Sequence, residues 1–243
     1  MDFDLDVYRS RILDVLDAYG DQLLWHGSLK AATITELGVG ESNLMLQVTL
    51  DGQPALAMRL AYREDIAAHL LPQEFRLLQQ VPEDVGPRPF VLDMSRQVLP
   101  YPFAILSYVP GTPLVTYSEE LFRLHATKLA LLHRQEFAGW TDRWGQLRDT
   151  AFDLYQDFQD GVARWRRLSP RVFEEELVLQ LLPRLDAYFR EHNHLFTALT
   201  RFPLIHGDLC ASNILVHEGE MRYIDWEYAR YGDVALDLFP PSI

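Results

Sequence analysis

Three side chains with oxygen atoms that can bind a metal lie close together near the end of the sequence. Asp208 and Asn213 occupy a short loop in LIHGDLCASNILV, and Asp225 follows twelve residues later in YIDWE. Because apolar segments flank the loop, we expect a strand, a loop and a hairpin that bring the three side chains together. Phosphoryl transfer from a nucleotide needs such a set: one carboxylate to receive the proton of the attacking hydroxyl, and hard oxygen ligands for magnesium.

The segments that carry these residues resemble a known family. HGDLCASN followed by IDWEYARYGDVALDL is similar to the catalytic and metal-binding loops of the aminoglycoside phosphotransferase and choline kinase family, especially its choline, ethanolamine and thiamine kinases. The resemblance implies a protein-kinase-like fold, ATP as co-substrate and Mg²⁺ as cofactor. It also implies that Asp208 is the catalytic base, Asn213 a magnesium ligand and Asp225 the principal magnesium ligand. In the alternative interpretation Asp208 and Asn213 only cap a turn, which does not explain Asp225.

Three further residues in these segments are interpreted as supporting the loop. His206, two residues before the catalytic Asp, is expected to brace the loop by hydrogen bonding rather than to do chemistry. Asp237, in the later GD…DL pattern, is expected to be a buried brace for the loop backbone. Cys210 is expected to be a small filler inside the loop.

The first part of the chain is expected to hold the nucleotide. ELGVGESNLMLQV resembles the phosphate-covering turn of the family, in which Gly38, Gly40 and Ser42 let the backbone approach phosphate oxygens, although two glycines also suit an ordinary hairpin. The strand ALAMRLA carries Arg59 where protein kinases have a lysine, and arginine can donate two hydrogen bonds to phosphate. Glu74 is expected to pair with Arg59; otherwise it is an exposed helix acid. The missing lysine leaves open a catalytically weak or dead nucleotide-binding protein.

Hydrophobic patterning predicts an α+β fold with two lobes, a β-rich first lobe and a mainly helical second lobe. We predict a nucleotide-binding lobe over residues 1–106, a hinge over 107–111, and a lobe over 112–243 that carries the catalytic loop, the metal-binding loop and the acceptor site. By the family resemblance, backbone groups near Ser107 and Val109 meet the adenine edge.

Two prolines mark expected features of helices. Pro72 is expected in the first turn of a helix over 72–81, where a missing N–H is tolerated. Pro183 is expected to kink or break the helical segment 172–198. Further helical spacing is found at residues 5–19, 118–137 and 152–167.

The helical segment between about 138 and 200 is expected to build the acceptor pocket. Its aromatic and acidic residues suit a cationic alcohol of the choline, thiamine or aminoglycoside type, although ordinary helix packing would also explain them. These residues are Trp140, Trp144, Trp165, Tyr155, Phe158, Asp153, Asp157 and Asp160. The resemblance implies several further helices after the GD…DL pattern, whereas the sequence stops at Ile243, so these helices are expected to be missing.

Composition excludes several classes of function. A net charge of −13 argues against nucleic-acid binding, which needs clustered lysine and arginine. No apolar run nears the roughly 20 residues that cross a bilayer, and the acidic N-terminus does not resemble a signal peptide. Cys210 is the single cysteine, which indicates a reducing, cytoplasmic setting. The sequence leaves the oligomeric state and the choice between ATP and GTP open.

Overall fold

An antiparallel sheet forms the first lobe. Its strands are β1 (Thr33–Val39), β2 (Asn43–Thr49), β3 (Leu56–Ala61), β4 (Pro89–Asp93) and β5 (Phe103–Ser107). The computed structural model describes residues 4–23, 25, 29–39, 43–62, 67–141, 147–148 and 153–238, and in it the strands are ordered β1-β2-β3-β5-β4. The strand that carries Arg59, β3, is therefore the central strand of the sheet. All six of its residues are buried, so it is covered on both faces.

Helices pack against this sheet. The first are α1 (Leu5–Ala18), α2 (Gly20–Leu23) and α3 (Ala67–Leu78). Ile12 and Leu16 of α1 are fully buried against the sheet, and Leu77 of α3 belongs to a second core that continues into the other lobe. Pro72 was expected in the first turn of its helix. It lies instead inside α3, which begins at Ala67.

The second lobe is mainly helical. It contains α4 (Glu119–Leu132), α5 (Leu154–Leu168), α6 (Glu176–His192) and α7 (His194–Thr197). Pro183 lies inside α6 and does not end it. The predicted helical segment 172–198 instead begins in a 3-10 helix over Pro170–Glu174, and its α-helical part is divided after His192.

Short strands connect these helices and position the loops of interest. They are β6 (Thr112–Pro113), β7 (Glu136–Phe137), β8 (Trp140–Thr141), β9 (Leu147–Arg148), β10 (Phe202–Ile205), β11 (Ile214–His217), β12 (Glu220–Tyr223) and β13 (Arg230–Tyr231). The β10 strand pairs with β13 and β7, and β11 pairs with β12 and β6. All four residues of β10 are buried, so the segment that leads into the catalytic loop is anchored in the core.

The predicted α+β class is confirmed, since a β-rich first lobe is followed by a mainly helical second lobe. The lobe and hinge boundaries at residues 106 and 111 stay predictions. Within the described part of the chain, no helix has both the length and the apolar character that a membrane span requires.

Candidate active site

The predicted catalytic loop lies between β10 and β11 and ends in a turn of 3-10 helix. Asp208 is exposed, whereas Asn213 is buried. The Asn213 amide nitrogen donates hydrogen bonds to the backbone oxygen of Asp208 at 2.9 Å and to its carboxylate at 3.1 Å. These bonds orient the Asp208 carboxylate, and they leave the carbonyl oxygen of the Asn213 side chain as an atom that can bind a cation.

A buried carboxylate holds the start of this loop. Asp237 accepts hydrogen bonds from the backbone N–H groups of His206 and Gly207 at 2.9 and 2.8 Å, and from His133 Nε2 at 2.9 Å. The His206 ring donates from Nε2 to the Ile224 carbonyl at 2.9 Å. Burial lowers the pKa of His206, which favours the neutral ring. These contacts support the bracing roles predicted for His206 and Asp237.

The hairpin of β11 and β12 brings Asp225 to the catalytic loop. The N–H of Ile224 donates to the backbone carbonyl of Asn213 at 2.9 Å. This hydrogen bond connects the predicted metal-binding loop to the predicted catalytic loop. Asp225 has a φ of +64°, a left-handed conformation that costs free energy in a residue other than glycine. The structure therefore gathers Asp208, Asn213 and Asp225 in one place, and it holds Asp225 in a conformation that the surrounding contacts must stabilise.

Arg59 in β3 and Glu74 in α3 form a buried ion pair, with 2.7 Å between Nη1 and Oε1. Burial raises the pKa of Glu74 to about 7, although the Arg59 guanidinium acts in the opposite direction. Burial also acts to lower the pKa of Arg59, but the carboxylates around it outweigh this effect and the pKa is raised. Arg59 is therefore a permanent positive charge at the centre of the site.

Glu227 and Asn43 also belong to the site, and the sequence reasoning missed both. Glu227 Oε2 accepts hydrogen bonds from Arg59 Nη2 at 2.5 Å and from Asn43 Nδ2 at 3.2 Å. Arg59 Nη1 also contacts Asp225 Oδ1 at 3.1 Å. A signal for Glu227 was present in the sequence, because it is the last residue of the motif IDWE, whereas the signal for Asn43 was only its place directly after the glycine turn.

A cavity of about 920 Å³ lies between the lobes, and this volume is within the range of small-molecule sites. Arg59, Glu74, Asn213, Asp225 and Glu227 line one part of it. Gly38, Ser107 and Val109, three of the residues predicted to contact the nucleotide, line other parts of the same cavity. Gly40 and Ser42 lie outside the described residues.

The oxygen donors of the site fit magnesium. In the part of the chain that the structure describes, no three His, Cys, Asp or Glu side chains form a cage for a metal. Magnesium does not need such a cage, because it keeps several waters and uses one or two protein ligands together with the substrate phosphates. Asp225 and Asn213 have side-chain oxygens of the kind that such a site uses. The carboxylates of Glu74, Asp225 and Glu227 surround a single guanidinium, and this surplus of negative charge favours a cation.

Several residues predicted for the acceptor pocket make contacts within the second lobe. Trp140 is buried in a small cluster with Phe202, and Asp153 caps α5 by accepting the Gln156 N–H at 2.8 Å. Trp165 of α5 lines the cavity, whereas Trp144 lies outside the described residues. Two more of the predicted residues, Tyr155 and Phe158, make contacts between α5 and α6. None of the acids predicted for this pocket lines the cavity as described.

Comparison with known sequences gives a consistent result. A sequence profile of the phosphotransferase enzyme family matches residues 33–240, which include every residue of the site described above. Thiamine kinases of Escherichia coli and Shigella flexneri are each 26% identical over 224 residues, which cover 90% of this chain and 69% of those proteins. The family inferred from the sequence motifs is therefore confirmed.

Solved structures share the fold. The aminoglycoside phosphotransferase APH(4)-Ia matches with a TM-score of 0.61 at 15% identity, covering 93% of this chain and 73% of that chain. An ethanolamine kinase of Plasmodium vivax matches with a TM-score of 0.58 at 17% identity, covering 93% of this chain and 63% of that chain. A variant of APH(4)-Ia has been solved with AMP-PNP and hygromycin B. These matches confirm the predicted protein-kinase-like fold.

Proposed function

Because this chain belongs to the phosphotransferase enzyme family, we propose that it transfers the γ-phosphoryl group of ATP to a hydroxyl of a small molecule. The observation that carries the proposal is the hydrogen-bonded pair of Asp208 and Asn213 next to Asp225, beside a cavity that Arg59 also lines. This set supplies one proton acceptor, two oxygen ligands and one fixed positive charge, which are the protein groups that phosphoryl transfer requires.

The proposed reaction is a direct displacement at phosphorus. The hydroxyl oxygen of the acceptor forms a bond to the γ-phosphorus while the bond from that phosphorus to the bridging oxygen breaks, and ADP leaves. The hydroxyl proton passes to the carboxylate of Asp208. Asn213 fixes the orientation of that carboxylate, and Arg59 donates hydrogen bonds to the phosphate oxygens. Catalysis then depends mainly on positioning and on stabilisation of charge.

Asn213 and Asp225 would hold magnesium. When bound, the ion neutralises negative charge that develops on the phosphates. Asn213 uses its amide nitrogen to hold Asp208, so its side-chain oxygen can face the ion. Asp225 is bonded to Arg59 through Oδ1, and its side chain is 44% exposed, so its other carboxylate oxygen can serve as the second ligand.

The acceptor is proposed to carry an amine, as choline, thiamine and aminoglycosides do. Trp165 and Tyr228 line the cavity, and their side chains are 55% and 45% exposed. Aromatic faces of this kind attract organic cations, and the surplus of carboxylates around Arg59 adds a negative potential. Relatives named as thiamine kinase and ethanolamine kinase also support an amine-bearing alcohol.

A kinase fold that binds nucleotide without turnover is the competing function, motivated by the arginine in place of a lysine. Neither the relatives nor the site geometry favours it. Arg59 keeps the ion pair with the helix acid Glu74, and the predicted base and both predicted metal ligands are present.

ATP turnover, measured with and without acceptors, tests the proposal. The acceptors to compare are choline, ethanolamine, thiamine, aminoglycosides and sugar alcohols. We expect ADP formation that depends on one of these acceptors, together with an acceptor product heavier by one phosphate in mass spectrometry. Tight Mg–ATP binding without turnover would instead support a nucleotide-binding protein. Turnover that is the same with every acceptor and with none would support a hydrolase.

A further inference from the structure

A single guanidinium connects elements that are distant in the sequence. Arg59 contacts Glu74 of α3 and Asp225 through Nη1, at 2.7 and 3.1 Å, and it contacts Glu227 through Nη2 at 2.5 Å. Asn43, the first residue of β2, donates to the same Glu227 oxygen at 3.2 Å. The two ends of the guanidinium therefore have different partners, and the Nη2 end is held by Glu227 alone among the described residues.

We propose that Glu227, itself held by Asn43, is a positioning residue that orients the Arg59 guanidinium toward the nucleotide phosphates. The inference rests on the proposed function, because the phosphate contact of Arg59 is part of that function. The contacts of Nη1 with Glu74 and Asp225 hold only one end of the planar guanidinium. A further carboxylate at Nη2 fixes the plane, and with it the direction of the remaining N–H groups.

The contact between Arg59 and Glu227 explains why an arginine can serve at this position. A lysine presents one nitrogen on a flexible stem, and that nitrogen can reproduce the contact of Nη1 with Glu74. It cannot at the same time reproduce the contact of Nη2 with Glu227, which needs the fork of a guanidinium. Arg59 and Glu227 are thus expected to act together, and each is expected to lose much of its effect without the other.

Asn43 supports this interpretation through its burial. Its side chain is buried, and Oδ1 has no hydrogen-bond partner in the described part of the chain. A buried polar atom without a partner costs about 1–3 kcal/mol, so an apolar residue would be more stable here if the position served packing alone. The bond from Nδ2 to Glu227 is the contact that an apolar residue could not make.

A double-mutant cycle tests the proposal with four proteins: the native chain, Arg59→Lys, Glu227→Gln and the double variant. The affinity for ADP is measured by calorimetry in EDTA, so that no metal contributes, and kcat/KM for ATP is measured with magnesium. We expect Glu227→Gln to weaken ADP binding about tenfold in the native background but less than about twofold in the Arg59→Lys background. Equal losses in the two backgrounds would overturn the proposal.

Two controls separate this role from other roles. If Glu227 acts only as a metal ligand, Glu227→Gln raises the magnesium concentration for half-maximal activity and leaves ADP affinity in EDTA unchanged, which also overturns the proposal. Glu220→Gln removes an exposed carboxylate from the same hairpin and is expected to change neither quantity. Native ADP affinity and native turnover in Arg59→Lys would instead contradict the proposed phosphate contact of Arg59, a failure of the proposed function that this cycle identifies separately.

Further variants keep the proposal testable if Glu227→Gln does not fold or if Arg59→Lys binds no ADP. Glu227→Asp keeps the negative charge but withdraws it from Arg59 by one methylene, and we expect weaker ADP binding in EDTA. Asn43→Ala is expected to weaken ADP binding about threefold, and to add nothing further in the Glu227→Gln background. Native ADP affinity in both Glu227→Asp and Asn43→Ala would contradict the positioning role.

Discussion

The catalytic loop and the helical segment from α5 to α6 are held in different ways. The strand before the loop is entirely buried, and the carboxylate of Asp237, also buried, accepts two backbone N–H groups of the loop. In contrast, neither α5 nor α6 contains a single buried residue, and Leu177 and Leu185 of α6 are 66% and 44% exposed. The predicted catalytic loop is thus held by the core, whereas α5 and α6 are held mainly by their contacts with each other.

The contacts within the helical segment explain this difference. Phe158 of α5 stacks on Phe189 of α6 with 4.6 Å between ring centroids, and the Tyr155 hydroxyl donates to Asp186 at 3.0 Å. These contacts join the two helices to each other rather than to the sheet. Trp165 on α5 also lines the cavity. Residues on this segment that would face the proposed acceptor should therefore be replaceable with little effect on the catalytic loop, which is how one fold serves different substrates.

Asp208→Asn should have the largest effect on activity, because it removes the proposed base and keeps the shape of the side chain. We expect kcat to fall by about 10²–10⁴-fold. The affinity for Mg–ATP, measured by calorimetry, should change less than about threefold, because Asp208 faces the acceptor in the proposed mechanism. The matched control is Asp160→Asn on α5, which removes an exposed carboxylate bonded to Gln156 and should leave kcat unchanged. A native rate for Asp208→Asn would show that another group receives the proton.

A pair of glycine substitutions compares a constrained turn with an open one. Gly207 and Gly219 have nearly the same left-handed φ, +80° and +83°. A Cβ on Gly207 would lie 2.5 Å from the Tyr228 carbonyl oxygen, whereas a Cβ on Gly219 would meet nothing within 4 Å. We expect Gly219→Ala to cost about 1 kcal/mol of unfolding free energy, and Gly207→Ala to cost about 3 kcal/mol, with reduced turnover. Urea unfolding measures both. Equal losses would show that the loop moves to make room.

The sequence predicted the part of the site that depends on local pattern. Asp208 and Asn213 share one short loop, and a hairpin returns Asp225 to it, so strand and turn signals were sufficient to place them together. The contact of Arg59 with Glu227 spans 168 residues of sequence and depends on how the sheet meets the metal-binding loop. Periodicity contains no information about that contact, so the motif IDWE marks Glu227 in the sequence without revealing its partner.

The start of α3 was also misplaced, for a related reason. The proline rule put Pro72 in the first turn, because a proline inside a helix costs about 3 kcal/mol. The helix already runs from Ala67, and Leu70 and Leu71 are buried in the turn before the proline. Burial of these leucines offsets the cost of the proline, and this tertiary contribution does not appear in a local rule.

Glu74→Gln tests whether the buried carboxylate of Glu74 destabilises the folded protein when it is charged. Burial raises the pKa of Glu74 to about 7 in the folded protein, against an ordinary value of 4.5. Between these values the folded state binds more protons than the unfolded state, so this residue makes the unfolding free energy decrease as the pH rises from 4.5 to 7. The variant cannot titrate. Relative to the native chain it should gain about 1–3 kcal/mol across that window, measured by urea unfolding at several pH values. A constant difference would contradict the raised pKa.

The smallest effect is expected on the outer face of α6. Leu177 is 66% exposed, whereas Leu204, in the strand before the catalytic loop, is 2% exposed. Leu177→Ala should change the unfolding free energy by less than about 0.5 kcal/mol, because it removes no buried contact. Leu204→Ala should cost about 2–5 kcal/mol, because it opens a cavity in the core. Urea unfolding of the two variants at one pH compares them directly. A loss for Leu177→Ala close to that of Leu204→Ala would mean that the helical segment is supported by the core after all, and the contrast between the two regions would then fail.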